Sequence, residues 1–164
     1  MRRRLVLVLA LQVEIGCGGA FAIGCGLDPA RSSTATAPAA AANAGAAART
    51  VQVAANRGWQ DSGVTVGADQ KFQLVYRSGQ ITDKDFKIAD AHGTDYVCGD
   101  PGCCEPLPDE RRSALIARIG GNVFPVGNGG EYSSPAGGTI YLRVNDCDDG
   151  VHDNTGELRV EFIP

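Results

Sequence analysis

The chain has 164 residues, a formal net charge of −4 and a pI of about 5.1. Residues 50–164 alone hold 10 Lys+Arg against 17 Asp+Glu, a net of −7, because five arginines lie in the first 49 residues. So acidic a segment, with no basic stripe, argues against nucleic acid as a partner and against adhesion to anionic membranes, and it suits a divalent cation.

The chain opens with Met1-Arg2-Arg3-Arg4 and the apolar run Leu5 to Leu11, the charged and apolar regions of an export signal occupying residues 1–25. Ala22-Ile23-Gly24-Cys25 resembles the lipobox of bacterial lipoproteins, with Ala22 where Leu is usual; Ile15-Gly16-Cys17 is a poorer second candidate, with Glu14 beside it. Two outcomes stand open: acylation of Cys25, which makes a cell-envelope lipoprotein anchored to the membrane only through that lipid, or simple cleavage and secretion. A stable transmembrane helix is not expected, since the uninterrupted apolar run falls short of the ~20 residues a bilayer requires. Residues 26–49 turn to Ala, Thr, Ser and Pro, with almost nothing to bury, and read as a flexible linker. The folded part is residues 50–164, the size of one small β-domain.

Within it, Trp59 is the only tryptophan and reads as a core anchor at a strand entrance. Val64 and Val66, then Phe72, Leu74 and Tyr76, alternate with polar residues at period two, as half-buried strands do. Asp90-Ala91-His92-Gly93 is an ordinary turn. Cys98, Cys103, Cys104 and Cys147 form an even set, which in an exported protein implies disulfides. The adjacent Cys103 and Cys104 are poor partners for each other, so each reaches Cys98 or Cys147. A zinc site is disfavoured, because no second Cys-x2-Cys or nearby His pair accompanies them. Ala114 to Ile119 lies between a Pro-rich loop and Gly120-Gly121 and reads as a short strand. Ile140, Leu142 and Val144 alternate with Tyr141, Arg143 and Asn145; Leu158, Val160 and Phe162 alternate with Glu157, Arg159 and Glu161. Many short strands and no amphipathic helix imply two packed antiparallel sheets, an all-β jelly-roll-type sandwich.

Between the last two strands lies Asn145-Asp146-Cys147-Asp148-Asp149-Gly150-Val151-His152-Asp153-Asn154-Thr155-Gly156. Asp146, Asp153 and Asn154 offer side-chain oxygens, and a turn at Gly150 can present a backbone carbonyl. Two carboxylates balance the charge of Ca²⁺, and neutral oxygens fill the rest of its roughly six to eight positions. An acidic hairpin turn has the same composition. An EF-hand is excluded: Gly150 and Val151 stand where an oxygen ligand and then a glycine are needed, and the flanks are strands.

These residues resemble the PA-I-type galactophilic lectins of bacteria. In that family a strand ends in Asn-Asp, and a short loop leads to Asn-Asn-Ser-Gly and a final strand; Asn145-Asp146 and Asp153-Asn154-Thr155-Gly156 are the counterparts. Ala114 to Gly120 resembles the family's Ala-Leu-x-x-x-Ile-Gly segment, Phe124-Pro125-Val126-Gly127 follows it, and Cys98 to Cys103 repeats a Cys-x4-Cys spacing. The resemblance spans most of residues 51–163 and implies a calcium-dependent, galactose-binding lectin. It places metal ligands on the side chains of Asp146, Asp153 and Asn154 and on the carbonyls of Gly150 and, from an early strand, Val66. It places sugar contacts on Asp146, Cys147, Asp153, His92 and Asp95. Three departures leave the sugar open: Asp153 replaces an Asn, Cys147 replaces a small apolar residue, and Glu105 to Ser113 is an insertion.

No nucleophilic triad is visible around His92 or His152, the only histidines, so catalysis is not expected. The second function consistent with these residues is a calcium-stabilised structural or protein-interaction module of an envelope lipoprotein. The oligomeric state is open.

Overall fold

The computed structural model describes residues 47–83, 85 and 87–164. The export signal, Cys25 and nearly all of the linker lie outside the described residues.

Among the described residues nine strands follow in chain order: β1 (Arg49–Ala54), β2 (Gln60–Val66), β3 (Lys71–Thr82), β4 (Ile88–Ala89), β5 (Leu115–Ile119), β6 (Asn122–Pro125), β7 (Gly129–Ser133), β8 (Gly138–Val144) and β9 (Thr155–Ile163). One sheet runs β1-β9-β3-β4, with β7 also paired to β3; the other runs β2-β8-β5-β6. Every pairing is antiparallel. The fold is thus a two-sheet β-sandwich, as the alternation predicts.

The period-two residues supply the space between the sheets. Phe72, Leu74, Ile81, Leu158, Val160 and Phe162 from one sheet meet Val64, Leu115, Ala117, Ile140, Leu142 and Val144 from the other, all buried. Each large side chain removed from water contributes about 1.5–3 kcal/mol. Phe72 lies 5.8 Å from Phe162 and 6.0 Å from Tyr132, centroid to centroid.

Trp59 corrects the sequence reading. It is half-buried and packs outside the core, with the guanidinium of Arg118 4.8 Å and that of Arg143 5.5 Å from its ring. The two arginines lie on β5 and β8, so the indole stacks on the outer side of the second sheet, where cations can meet its π-face.

Register fixes which residues share an end of the sandwich. Leu115 opens β5 opposite Val144, which closes β8, and Thr82 closes β3 opposite Thr155, which opens β9. The segment joining β8 to β9 therefore emerges beside the end of β3 and the start of β5. Gly156 lets β9 run close against β3: its φ is 91°, and a Cβ there would strike the carbonyl of Gln80.

Candidate functional site

The chain leaves β8 through two wholly buried polar residues, Asn145 and Asp146. Asn145 fastens the insertion to the sheet. Its Oδ1 accepts from the Leu107 N–H at 3.0 Å, and its Nδ2 donates to the Leu107 and Arg111 carbonyls at 2.8 and 3.2 Å. Its own N–H donates to the Ala114 carbonyl at 2.7 Å, and its carbonyl accepts from Ser113 at 2.8 Å. Residues 105–113 thus fold against the end of β8.

Asp146 is the centre of the cluster. One carboxylate oxygen, Oδ1, accepts from the Cys147 N–H at 2.8 Å and from Arg112 Nη2 at 3.0 Å; the other, Oδ2, accepts from Asn154 Nδ2 at 2.9 Å. Burying that charge is tolerable because it is paired and bonded. Arg112 answers to more than one acid. Burial works to lower its pKa, but the charge and hydrogen bond of Asp146, and then the charges of Glu105 and Asp83, raise it above the usual arginine value.

The loop itself is anchored from below. Arg143, which alternation alone would place in solvent, is wholly buried: its Nη2 donates to the Asp146 carbonyl at 2.7 Å and its Nη1 to Asp148 Oδ1 at 2.6 Å. After Asp149 the backbone closes a short 3₁₀ turn, Val151–Asp153, in which Val151 plugs the core. Gly150 lies close over the carboxylate: a Cβ there would stand 3.4 Å from Asp146 Oδ1 and 3.8 Å from Arg112 Nη2.

All four cysteines of the domain are in disulfides, Cys98–Cys103 and Cys104–Cys147. Cys103 and Cys104 reach Cys98 and Cys147 rather than each other. The second bridge ties the insertion to the loop directly.

Between insertion and loop opens a cleft of about 500 Å³, with Tyr96, Glu105 and Arg112 on one wall and Cys147, Asp149, Gly150 and Asp153 on the other. Several buried side-chain atoms here meet no hydrogen-bond partner among the described residues: Asn154 Oδ1, Glu105 Oε2, Arg112 Nε and Ser113 Oγ. Ser113 also holds φ at 64°, a left-handed conformation uncommon outside glycine.

The structure brings Asp146, Cys147, Gly150, Asp153 and Asn154 together and leaves the other expected residues elsewhere. Val66 pairs with Gly138, at the opposite end of β8 from Asp146. A seven-residue strand is about 20 Å long, so the Val66 carbonyl cannot share an ion with the loop. The early strand that does reach the loop is β3, through Thr82. His92 is exposed, its N–H donating to Asp90 Oδ1 at 2.8 Å and its ring near Gly127 beyond β6. Asp95 is fully exposed and paired with Arg111 at 2.7 Å. Neither lines the cleft; Tyr96, the next residue after Asp95, does. Arg112 and Arg143 were not legible as site residues, because nothing in a period-two pattern says that a loop folds back over them.

This oxygen-rich donor set suits a hard divalent cation. Asp146 and Asp153 are carboxylates, Asn154 has a buried amide oxygen without a partner among the described residues, and Gly150 lines the cleft with no side chain of its own.

No protein-family model matches the chain, and no curated protein does. Among solved structures, the N-terminal domain of EclA, described as a PllA-like lectin, matches with a TM-score of 0.55 and 28% identity, over 70% of this chain and 93% of that one. The chain is therefore similar in fold, and detectably in sequence, to a lectin domain.

Proposed function

We propose that residues 50–164 are a calcium-dependent carbohydrate-binding domain for galactose-type sugars, exported and either secreted or held to the envelope through Cys25. Asp146, Asp153 and Asn154 hold the ion through side chains and Gly150 through its carbonyl. The ion supplies open coordination positions that two vicinal hydroxyls of a sugar can occupy. The residues around it orient that sugar: Asp153 and Asp149 accept from its hydroxyls, Tyr96 offers an apolar wall, and the Cys104–Cys147 bridge fixes the rim. No bond is made or broken.

The observation that carries this reading is the buried Asn154 Oδ1, without a partner among the described residues, beside the buried carboxylate of Asp146, in a loop flanked on both sides by paired strands. Such an oxygen is costly unless something binds it. The likeness to a PllA-like lectin domain supports the sugar as ligand. Calorimetry with galactosides, in calcium and in chelator, tests both halves. Heat in calcium that vanishes with chelator is expected; no heat in either removes the galactose assignment, and equal heat in both removes the ion.

A further inference from the structure

We propose that Arg112 is the resident counter-cation of the Asp146 site and sets its metal affinity, so that calcium enters only by displacing the guanidinium onto Glu105. This rests on the calcium reading above and deepens it.

The argument starts with valence. A carboxylate offers about four lone-pair positions. Three on Asp146 are already used by Cys147 N–H, Arg112 Nη2 and Asn154 Nδ2, and the single negative charge is already balanced by Arg112. A doubly charged ion on the same carboxylate meets a guanidinium at contact distance, and like charges so close in a partly desolvated site repel strongly. The two cations are alternatives.

The side chain has somewhere to go. The backbone of Arg112 is clamped, its N–H donating to the Tyr96 carbonyl at 2.8 Å and its carbonyl accepting from the Thr94 N–H at 2.8 Å. Movement is thus confined to the side chain, which keeps 16% of its surface exposed and borders both the cleft between insertion and loop and a neighbouring one lined by Asp83, Asp85 and Lys87. Glu105 is nine-tenths buried and its Oε2 has no partner among the described residues; nor has Arg112 Nε. A donor and an acceptor left unpaired on the lining of one cleft, with the Glu105 charge felt at Arg112, are what a second, unpopulated arrangement leaves behind. In that arrangement Glu105 holds the guanidinium, and Asp146 is free for the ion.

The experiment measures calcium affinity of the full chain by calorimetry for the wild type, Arg112→Gln and Glu105→Gln, with thermal denaturation in chelator alongside. Arg112→Gln is expected to bind calcium at least tenfold more tightly and to be less stable than wild type in chelator, since it leaves Asp146 unbalanced. Glu105→Gln is expected to weaken calcium binding in the wild-type background and to have no effect once Arg112→Gln is present. Methylguanidinium should compete with calcium in Arg112→Gln and not in wild type, which a purely structural arginine does not predict. Equal or weaker calcium binding in Arg112→Gln overturns the inference while leaving the calcium reading intact. Absence of calcium binding in both proteins overturns the calcium reading, and the inference falls with it. If Arg112→Gln does not fold, Arg112→Lys, which keeps the charge but loses the fork, is expected to show a smaller gain in the same direction, and no gain overturns the inference.

Discussion

The two ends of β8 meet different chemistry. Where the strand begins, Gly138 pairs with Val66 and the surrounding turns close on themselves. Gly137 N–H reaches the Ser134 carbonyl at 3.2 Å, Gln70 N–H the Gly67 carbonyl at 3.2 Å, and Gln70 Oε1 accepts from Gly67 N–H at 2.8 Å. Where the strand ends, Arg143, Asn145 and Asp146 are all buried, and Glu105, Arg112, Ser113 and Asn154 each carry a buried polar atom without a partner among the described residues. An end that served only stability has no reason to bury charge and leave its network incomplete. On the proposed reading, the contrast separates a turn that closes the fold from a loop arranged around a bound ion.

The sharpest way to break that contrast is at Asp146. Asp146→Ala leaves Arg112 without its charge partner and Asn154 Nδ2 with the Ala55 carbonyl at 3.5 Å, and removing one partner of a buried ion pair costs about 3–5 kcal/mol. Chemical denaturation should show a loss of that size, and calorimetry should show no calcium heat at all; retained calcium affinity would place any ion elsewhere.

The two disulfides sharpen it next. Replacing Cys104 and Cys147 by serine opens a closure of 43 residues, against 5 for Cys98–Cys103. Chain entropy alone assigns about 4 kcal/mol to the long closure and about 2 to the short one. Both bridges border the cleft, but of the two it is the long one that ties the loop to the opposite wall, so its loss should weaken ligand binding more than loss of the short one. Equal effects on binding from the two pairs would mean that the insertion does not shape the site.

At the other end, Gly137 has φ of 63°, and a Cβ there would come within 2.7 Å of the Val66 carbonyl and the Ala68 nitrogen. Gly137→Ala should cost about 1–3 kcal/mol of stability with no change in calcium affinity. A fall in calcium affinity there would show that the two ends are coupled. The smallest effect belongs to the outer face, where Arg118 stacks between Trp59 at 4.8 Å and Tyr141 at 5.1 Å. Arg118→Gln should lose about 1 kcal/mol in denaturation and leave both calcium and sugar binding as they were.

Much of the frame was legible because burial between two sheets imposes period two. Val64, Leu74, Ile140, Leu142, Leu158 and Phe162 all fall where alternation puts them. Strands without that signal were not: β7 opens Gly129-Gly130 with no apolar alternation, and β4 has two residues. The loop from Asp146 to Asn154 was legible because its oxygen ligands are contiguous in sequence. Val66 was misplaced because the early strand that reaches the loop depends on sheet order, which no local pattern encodes. Arg112 escaped notice for a related reason: it sits 34 residues before Asp146, and it takes the Asn145 side chain, bonding back to Leu107 and Arg111, and the Cys104–Cys147 bridge to bring the insertion to the loop.

The most direct test is a crystal structure grown in calcium with a galactoside. The account predicts an ion bound by Asp146, Gly150, Asp153 and Asn154, two sugar hydroxyls on its remaining positions, and the Arg112 guanidinium moved to Glu105. A loop without an ion, with Arg112 still on Asp146, would contradict it.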